Sequence, residues 1–217
     1  AGMQFLFAPI IGGLSDQFGR RPVILASLLG FGLDYVVAAL APSLSWLFIA
    51  RIIAGITGAS FTSASAYIAD ISTPDKRAQN FGMIGAAFGL GFIVGPVLGG
   101  LLGSFGPRVP FWTAAGFSLA NALYGYFVLP ESLAPEKRRK FDIRRANPLG
   151  SFMRLKKFPA IFSLAVSMFF LYLAGQVNPS IWSYFTMLEF GFNEACVGYS
   201  LGFVGIMVAL VQGVFIR

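Results

Sequence analysis

The stretch Gly12-Gly13-Leu14-Ser15-Asp16-Gln17-Phe18-Gly19-Arg20-Arg21-Pro22 sets one acid and two arginines between two long apolar segments. Charges this dense do not sit in hydrocarbon, and a turn this short spans nothing. It therefore reads as a surface loop joining two membrane helices. Asp16 stands one helical turn before Arg20 and close to Arg21. At that spacing a carboxylate can hold guanidinium groups, or the end of a neighbouring helix, at the membrane face.

Outward from this loop the chain stays apolar. Its 217 residues are 56% hydrophobic and 12% charged, with a mean hydropathy of +0.74, whereas soluble domains carry about 25% charged residues. An all-α membrane protein follows, with room for about seven spans at roughly 20 residues each. The expected spans cover residues 1–14 (the tail of one helix), 22–41, 46–68, 80–103, 111–129, 158–188 and 195–216. The chain opens inside one apolar run and closes just after another, so it is expected to be a piece of a longer protein.

Short connectors make successive helices antiparallel, which sorts the charges by side. Arg20, Arg21, Lys76, Arg77 and the nine basic residues from Lys137 to Lys157 fall on one side; Arg108, Glu189 and Glu194 fall on the other. The positive-inside bias places the first side in the cytoplasm. The net charge of +7 thus reports orientation, with anionic lipid contact as an accessory role, and not a nucleic-acid site. The basic stretch 130–157 is the expected domain boundary. It separates a first half-bundle, 1–129, from the start of a second, 158–217.

Several chemistries are excluded by residue type. The sequence has no histidine and a single cysteine, Cys196, so imidazole catalysis, a disulfide framework and a metal cluster are not expected. No glycine is followed by lysine, as a phosphate-binding P-loop requires. The expectation is a non-enzyme without cofactor or metal, driven by a gradient.

Two ionisable residues fall inside spans, Asp34 and Arg51. A charge at mid-bilayer costs at least ~2.5–3.5 kcal/mol on insertion scales, so each should face the bundle interior and find a partner. Asp34 lies far along an outward-running helix and Arg51 early on the returning one, which places them at similar depth. They are candidates for proton coupling or the substrate pathway, with a structural ion pair as the plainer alternative. Gly91, Gly95, Pro96 and Gly99 form a small-residue stripe with a hinge-prone proline. A matching small face runs from Gly55 through Gly58 to Ser63. Gln176, Asn178 and Gln212 are candidates for a substrate cavity, and Trp182 for an interfacial anchor.

These residues also resemble a known family. Gly12 to Arg21 resembles the signature between the second and third helices of the major facilitator superfamily. Arg51-Ile52-Ile53-Ala54-Gly55-Ile56-Thr57-Gly58 resembles its fourth-helix motif, and Gly91 to Gly100 the fifth-helix motif of its drug/proton antiporters. Pro130-Glu131-Ser132 is similar to the drug-efflux branch. Within that branch the tetracycline/proton antiporters are nearest, through Leu33-Asp34-Tyr35, Ile68-Ala69-Asp70 and Gly175-Gln176-Val177 among others. Two departures stand out: Gln17 replaces a usually basic residue, implying a weaker gate, and Ala54 replaces a commonly polar one.

The resemblance implies the second to eighth helices of a twelve-helix parent built from two six-helix halves in a bacterial inner membrane. Asp16, Arg20 and Arg21 would form its cytoplasmic gate, with Asp70 a charged partner at the same face. Asp34 and Arg51 would serve proton coupling or substrate passage. The implied activity is proton-coupled efflux of a small organic compound, tetracycline-like and open to carriage as a magnesium chelate, by alternating access. The implied partners are substrate, protons, the lipid bilayer and the parent's own missing helices. The alternatives are a uniporter or symporter for a sugar or metabolite, and a non-transporting membrane scaffold or sensor.

Overall fold

The computed structural model describes residues 2–142 and 158–214, and among them every regular element is helical. The helices are α1 (Gly2–Phe18), α2 (Arg20–Leu40), α3 (Leu44–Thr57), α4 (Phe61–Ile71), α5 (Arg77–Gly103), α6 (Val109–Val128), α7 (Pro159–Phe190) and α8 (Glu194–Val214). Four stretches have the length and apolarity to cross a membrane: Arg20–Leu40, Leu44–Ile71, Pro74–Gly103 and Ile161–Phe190. Two of the other expected spans fall short of that standard for local reasons. α1 has 17 residues, and α6 carries Thr113, Ser118, Asn121, Tyr124 and Tyr126, which dilute its hydropathy.

The charged loop is tighter than the sequence suggests. α1 continues past the paired glycines to Phe18, and α2 begins at Arg20, leaving Gly19 alone between them. Gly19 has φ 105°, a conformation that a Cβ would disfavour. The span 46–68 is likewise refined. α3 and α4 are separated by a 3₁₀ turn, Gly58–Ser60, where the Gln4 side-chain amide donates to the Gly58 carbonyl at 3.2 Å. A side chain entering the backbone ladder is a recognised cause of such a break.

The chain divides into two compact units, Ala1–Ile84 with Arg108–Pro148, and Gly85–Pro107 with Leu149–Arg217. A boundary of compactness therefore falls inside α5 as well as near the basic linker, of which residues 143–157 lie outside the described residues. In the first unit α2 packs closely on α6. A Cβ at Gly32 would stand 2.5 Å from Leu119, and one at Gly125 3.1 Å from Leu25. The small face of α3 and the following turn lies against α1 and α2: Gly55 is approached by Met3, and Gly58 by Phe31 and Gln4.

In the second unit the later half of α5 crosses α8 at backbone contact. A Cβ at Gly100 would stand 3.0 Å from the Gly198 Cα, and one at Gly198 2.5 Å from the Pro96 carbonyl oxygen. The stripe expected to pack, Gly91, Gly95 and Gly99, has open space around it among the described residues. Ile93, Pro96, Val97 and Gly100 form the contacting face instead. The reason is angular: residues 91, 95 and 99 share one side of the helix, and the residues meeting α8 share another. Between α7 and α8, the Trp182 indole donates to the Ser200 hydroxyl at 2.9 Å. Trp182 thus joins two helices.

Candidate functional site

The signature loop folds into an ion cluster at the basic end of the first unit. Asp16 in the last turn of α1 and Arg20 in the first turn of α2 pair across Gly19 at 2.5 Å. The same guanidinium donates through Nε to Asp70 Oδ2 at 3.1 Å. Asp70 lies in the last turn of α4, so one arginine ties three helices together. Ser15 and Ser132 complete the cluster: Arg20 Nη1 lies 3.3 Å from Ser15 Oγ, and Ser132 Oγ donates to Asp70 Oδ2 at 3.3 Å. The structure thus brings Asp16, Arg20 and Asp70 together, as the sequence suggested.

Arg21 takes a different partner. Its guanidinium donates to the Tyr126 carbonyl at 2.6 Å and stacks over the Tyr126 ring, 5.5 Å from the centroid. Among the described residues it makes no ion pair. It fastens α2 to the end of α6 and is not a member of the carboxylate cluster.

Sequence reasoning gave Glu131 no role, and the structure gives it a specific one. Its two carboxylate oxygens accept from the Arg20 and Arg21 backbone N–H groups at 2.9 and 3.3 Å, and from Leu133 N–H at 3.0 Å. The first N–H groups of a helix have no partner within it and attract negative charge. A carboxylate from after α6 therefore caps α2 across the chain. Partial burial disfavours its charged form. Hydrogen bonds from the Leu133, Arg20, Arg21 and Ser132 backbones outweigh that and hold the Glu131 carboxyl below its ordinary range. The available signal was an acid placed just beyond a helix that ends on the same side as Arg20 and Arg21.

Within the membrane-spanning part, Arg51 Nη2 meets Asp34 Oδ2 at 3.2 Å. The pairing expected from depth is present. The partners differ sharply in setting: the Asp34 side chain is 1% exposed and that of Arg51 54%. Asp34 Oδ1 is buried with no hydrogen-bond partner among the described residues. A carboxylate has acceptor capacity on both oxygens, and here one oxygen is fully idle.

The cavity candidates do not form a described site. Gln176 is exposed on α7. Asn178 and Gln212 lie on α7 and α8, but their side chains fall outside the described residues. No group of metal-ligating side chains occurs among the described residues.

An all-helical bundle with apolar spans, an ion pair between two of its helices and a charged cluster at one helix end defines a polytopic membrane protein. The chain belongs to the Major Facilitator Superfamily, whose sequence pattern matches residues 1–217. It is 45% identical over 210 residues to the class C tetracycline resistance protein of Escherichia coli, covering 97% of this chain and 53% of that protein. It is 40% identical to the class D tetracycline resistance protein of Salmonella ordonez, covering 99% and 54%. The crystal structure of the human organic anion transporter MFSD10 matches with a TM-score of 0.76 and 32% identity, over 98% of this chain and 54% of that one. The chain thus spans about half the length of the relatives it matches, and the expected fold, a partial major-facilitator bundle, is the one found.

Proposed function

We propose that the full-length protein exports a small organic compound, tetracycline-like in the first instance, in exchange for protons by alternating access. The observation that carries this reading is the Asp34–Arg51 pair. An ionisable side chain buried in a membrane helix is costly and is functional by default, and the idle Asp34 Oδ1 offers a place for a proton. A proton arriving there would neutralise the carboxylate without first displacing Arg51 from Oδ2. The weakened pair would then let α2 and α3 shift relative to one another. Arg51, on the other carboxylate oxygen, supplies the charge that balances Asp34.

The cluster of Asp16, Arg20 and Asp70 acts in this scheme as a cytoplasmic gate that closes when its three helices are drawn together. Arg21 supports it by fastening α2 to α6. The similarity to tetracycline resistance proteins supports the choice of substrate, which would be carried alone or as its magnesium chelate; the basic residues gathered on one side favour a bacterial inner membrane with the linker in the cytoplasm. Similarity to an organic anion transporter favours one second reading, a transporter of other organic anions.

The test uses the full-length protein in inside-out vesicles, acidic inside, with labelled tetracycline and magnesium. Uptake that collapses on adding a protonophore is expected. Absence of uptake by correctly inserted protein would remove tetracycline as substrate, and uptake indifferent to the protonophore would remove proton coupling.

A further inference from the structure

The beginning of the basic linker does not leave the bundle freely. After the turn Pro135–Lys137 the chain extends, with Arg138 at φ −68°, ψ 143°, and runs back over the end of α1. Arg139 N–H donates to the Asp16 carbonyl at 3.0 Å, one of the last carbonyls of α1, which have no acceptor role within the helix. Two residues on, Phe141 N–H donates to Gln17 Oε1 at 3.1 Å. In an extended chain alternate N–H groups point the same way, so both donors face α1. The Phe141 ring lies directly over Gly13, where an added Cβ would stand 2.8 Å from Cδ2. Phe141 is half-buried although Lys140 and Asp142 on either side are exposed.

We infer that Gln17 is a positioning residue: its side-chain carbonyl latches the start of the linker, residues 138–142, across the gate, so that this strap and the gate open and close as one piece. The inference rests on reading Asp16 and Arg20 as the gate. Three features support it. First, both anchor bonds land on consecutive residues, Asp16 and Gln17, and Asp16 is the residue paired with Arg20. Movement of the strap is therefore movement of the gate's own backbone. Second, the strap is held at points and is not packed along its length. A cavity of about 540 Å³ beside Asp16, Arg20 and Leu133 and another of about 350 Å³ beside Pro9, Gly12 and Phe141 flank it. A segment fastened at points can detach without disrupting a core. Third, the latch needs an acceptor. Lysine and arginine have none, so a basic side chain at position 17 cannot hold the Phe141 N–H. Glutamine does so without adding a charge next to Asp16.

The experiment measures backbone amide exchange by mass spectrometry on the full-length protein, following the peptide that contains Arg139 and Phe141. Gln17→Ala and Gln17→Lys are expected to speed exchange in that peptide roughly three- to tenfold, the value of one ordinary hydrogen bond. Gln17→Glu keeps an acceptor and is expected to exchange at the parent rate. Phe141→Ala, which removes the ring from Gly13, is expected to speed exchange without touching Gln17. In vesicles, Gln17→Ala and Gln17→Lys are expected to change the maximal export rate with KM preserved, and Gln17→Glu to restore it. Equal exchange in all four variants and the parent would overturn the latch. Faster exchange with an unchanged export rate, in a protein that Asp16→Asn silences, would overturn its role in positioning the gate. Normal export by Asp16→Asn would instead sink the gate reading, whatever the exchange data show.

Discussion

At the start of α2, Arg20 divides its guanidinium between Asp16 and Asp70, and Glu131 covers the helix N-terminus with its own carboxylate. Farther along the same helix, Asp34 has one partner at 3.2 Å and one oxygen with none among the described residues. The first arrangement is largely redundant: Arg20, Asp70 and Glu131 each touch two or more groups, and only Asp16 relies on Arg20 alone. The second is spare, in a setting where an uncompensated charge costs far more. Redundancy suits a contact that must re-form reliably. A single bond beside an idle acceptor suits a group that changes its charge during work.

The largest expected effect tests the spare pair. Asp34→Asn keeps the shape and removes the ionisable group, and export driven by a proton gradient is expected to fall by at least about tenfold, equivalent to 1.4 kcal/mol or more. Retained export in vesicles would erase the functional distinction between the two regions. Next comes Arg20→Ala, which leaves Asp16 and Asp70 without their shared cation. Asp16 and Asp70 are 43% and 29% exposed, so solvent screening limits the loss to about 1–2 kcal/mol, read as thermal stability in detergent. A loss as large as that of a buried pair would show that the cluster is not redundant.

Glu131→Ala should cost less, about 1 kcal/mol, the typical value of a helix cap. Its pH dependence sharpens the point. A carboxyl held below its ordinary range in the folded protein contributes stability that is complete above that range. The contribution fades as pH falls through the ordinary range to the lowered native value. The parent should therefore lose stability on acidification across that window, and Glu131→Ala should lack that component in pH-dependent melts. The smallest effect belongs to Ser132→Ala, which removes a 3.3 Å bond from an Asp70 that keeps Arg20. A few tenths of a kcal/mol is expected in the same melts, because the remaining partner is charged. A larger change would mean that Ser132, and not Arg20, orients Asp70.

Legibility followed the range of the interaction. Asp16 and Arg20 were readable as a pair because four residues separate them, and Asp34 with Arg51 because a short connector fixes both helices at one depth. Arg21 was grouped with them by adjacency, yet helix geometry turns it toward Tyr126. The glycine stripe of α5 was readable as small, but its side of contact was not: Gly100 meets α8 and Gly95 meets nothing described. Glu131, despite its place just beyond a helix end, and Phe141 went unread as site residues. Their partners lie more than a hundred residues away in sequence, and nothing in their local pattern names those partners.

By itself, the sequence determined that this chain is a helical membrane protein, where its helices run, which ends are basic, and that two charges inside the membrane must find each other. Those outcomes follow from the insolubility of charge and of unpaired backbone in hydrocarbon, which acts on local composition. Only the tertiary structure decided that one arginine would join three helices, that Glu131 would cap α2 and that the linker would lie latched over Gly13 and Gln17. Such contacts depend on which surfaces the folded helices bring together, and a side chain's direction is fixed by packing that no local stretch of sequence contains.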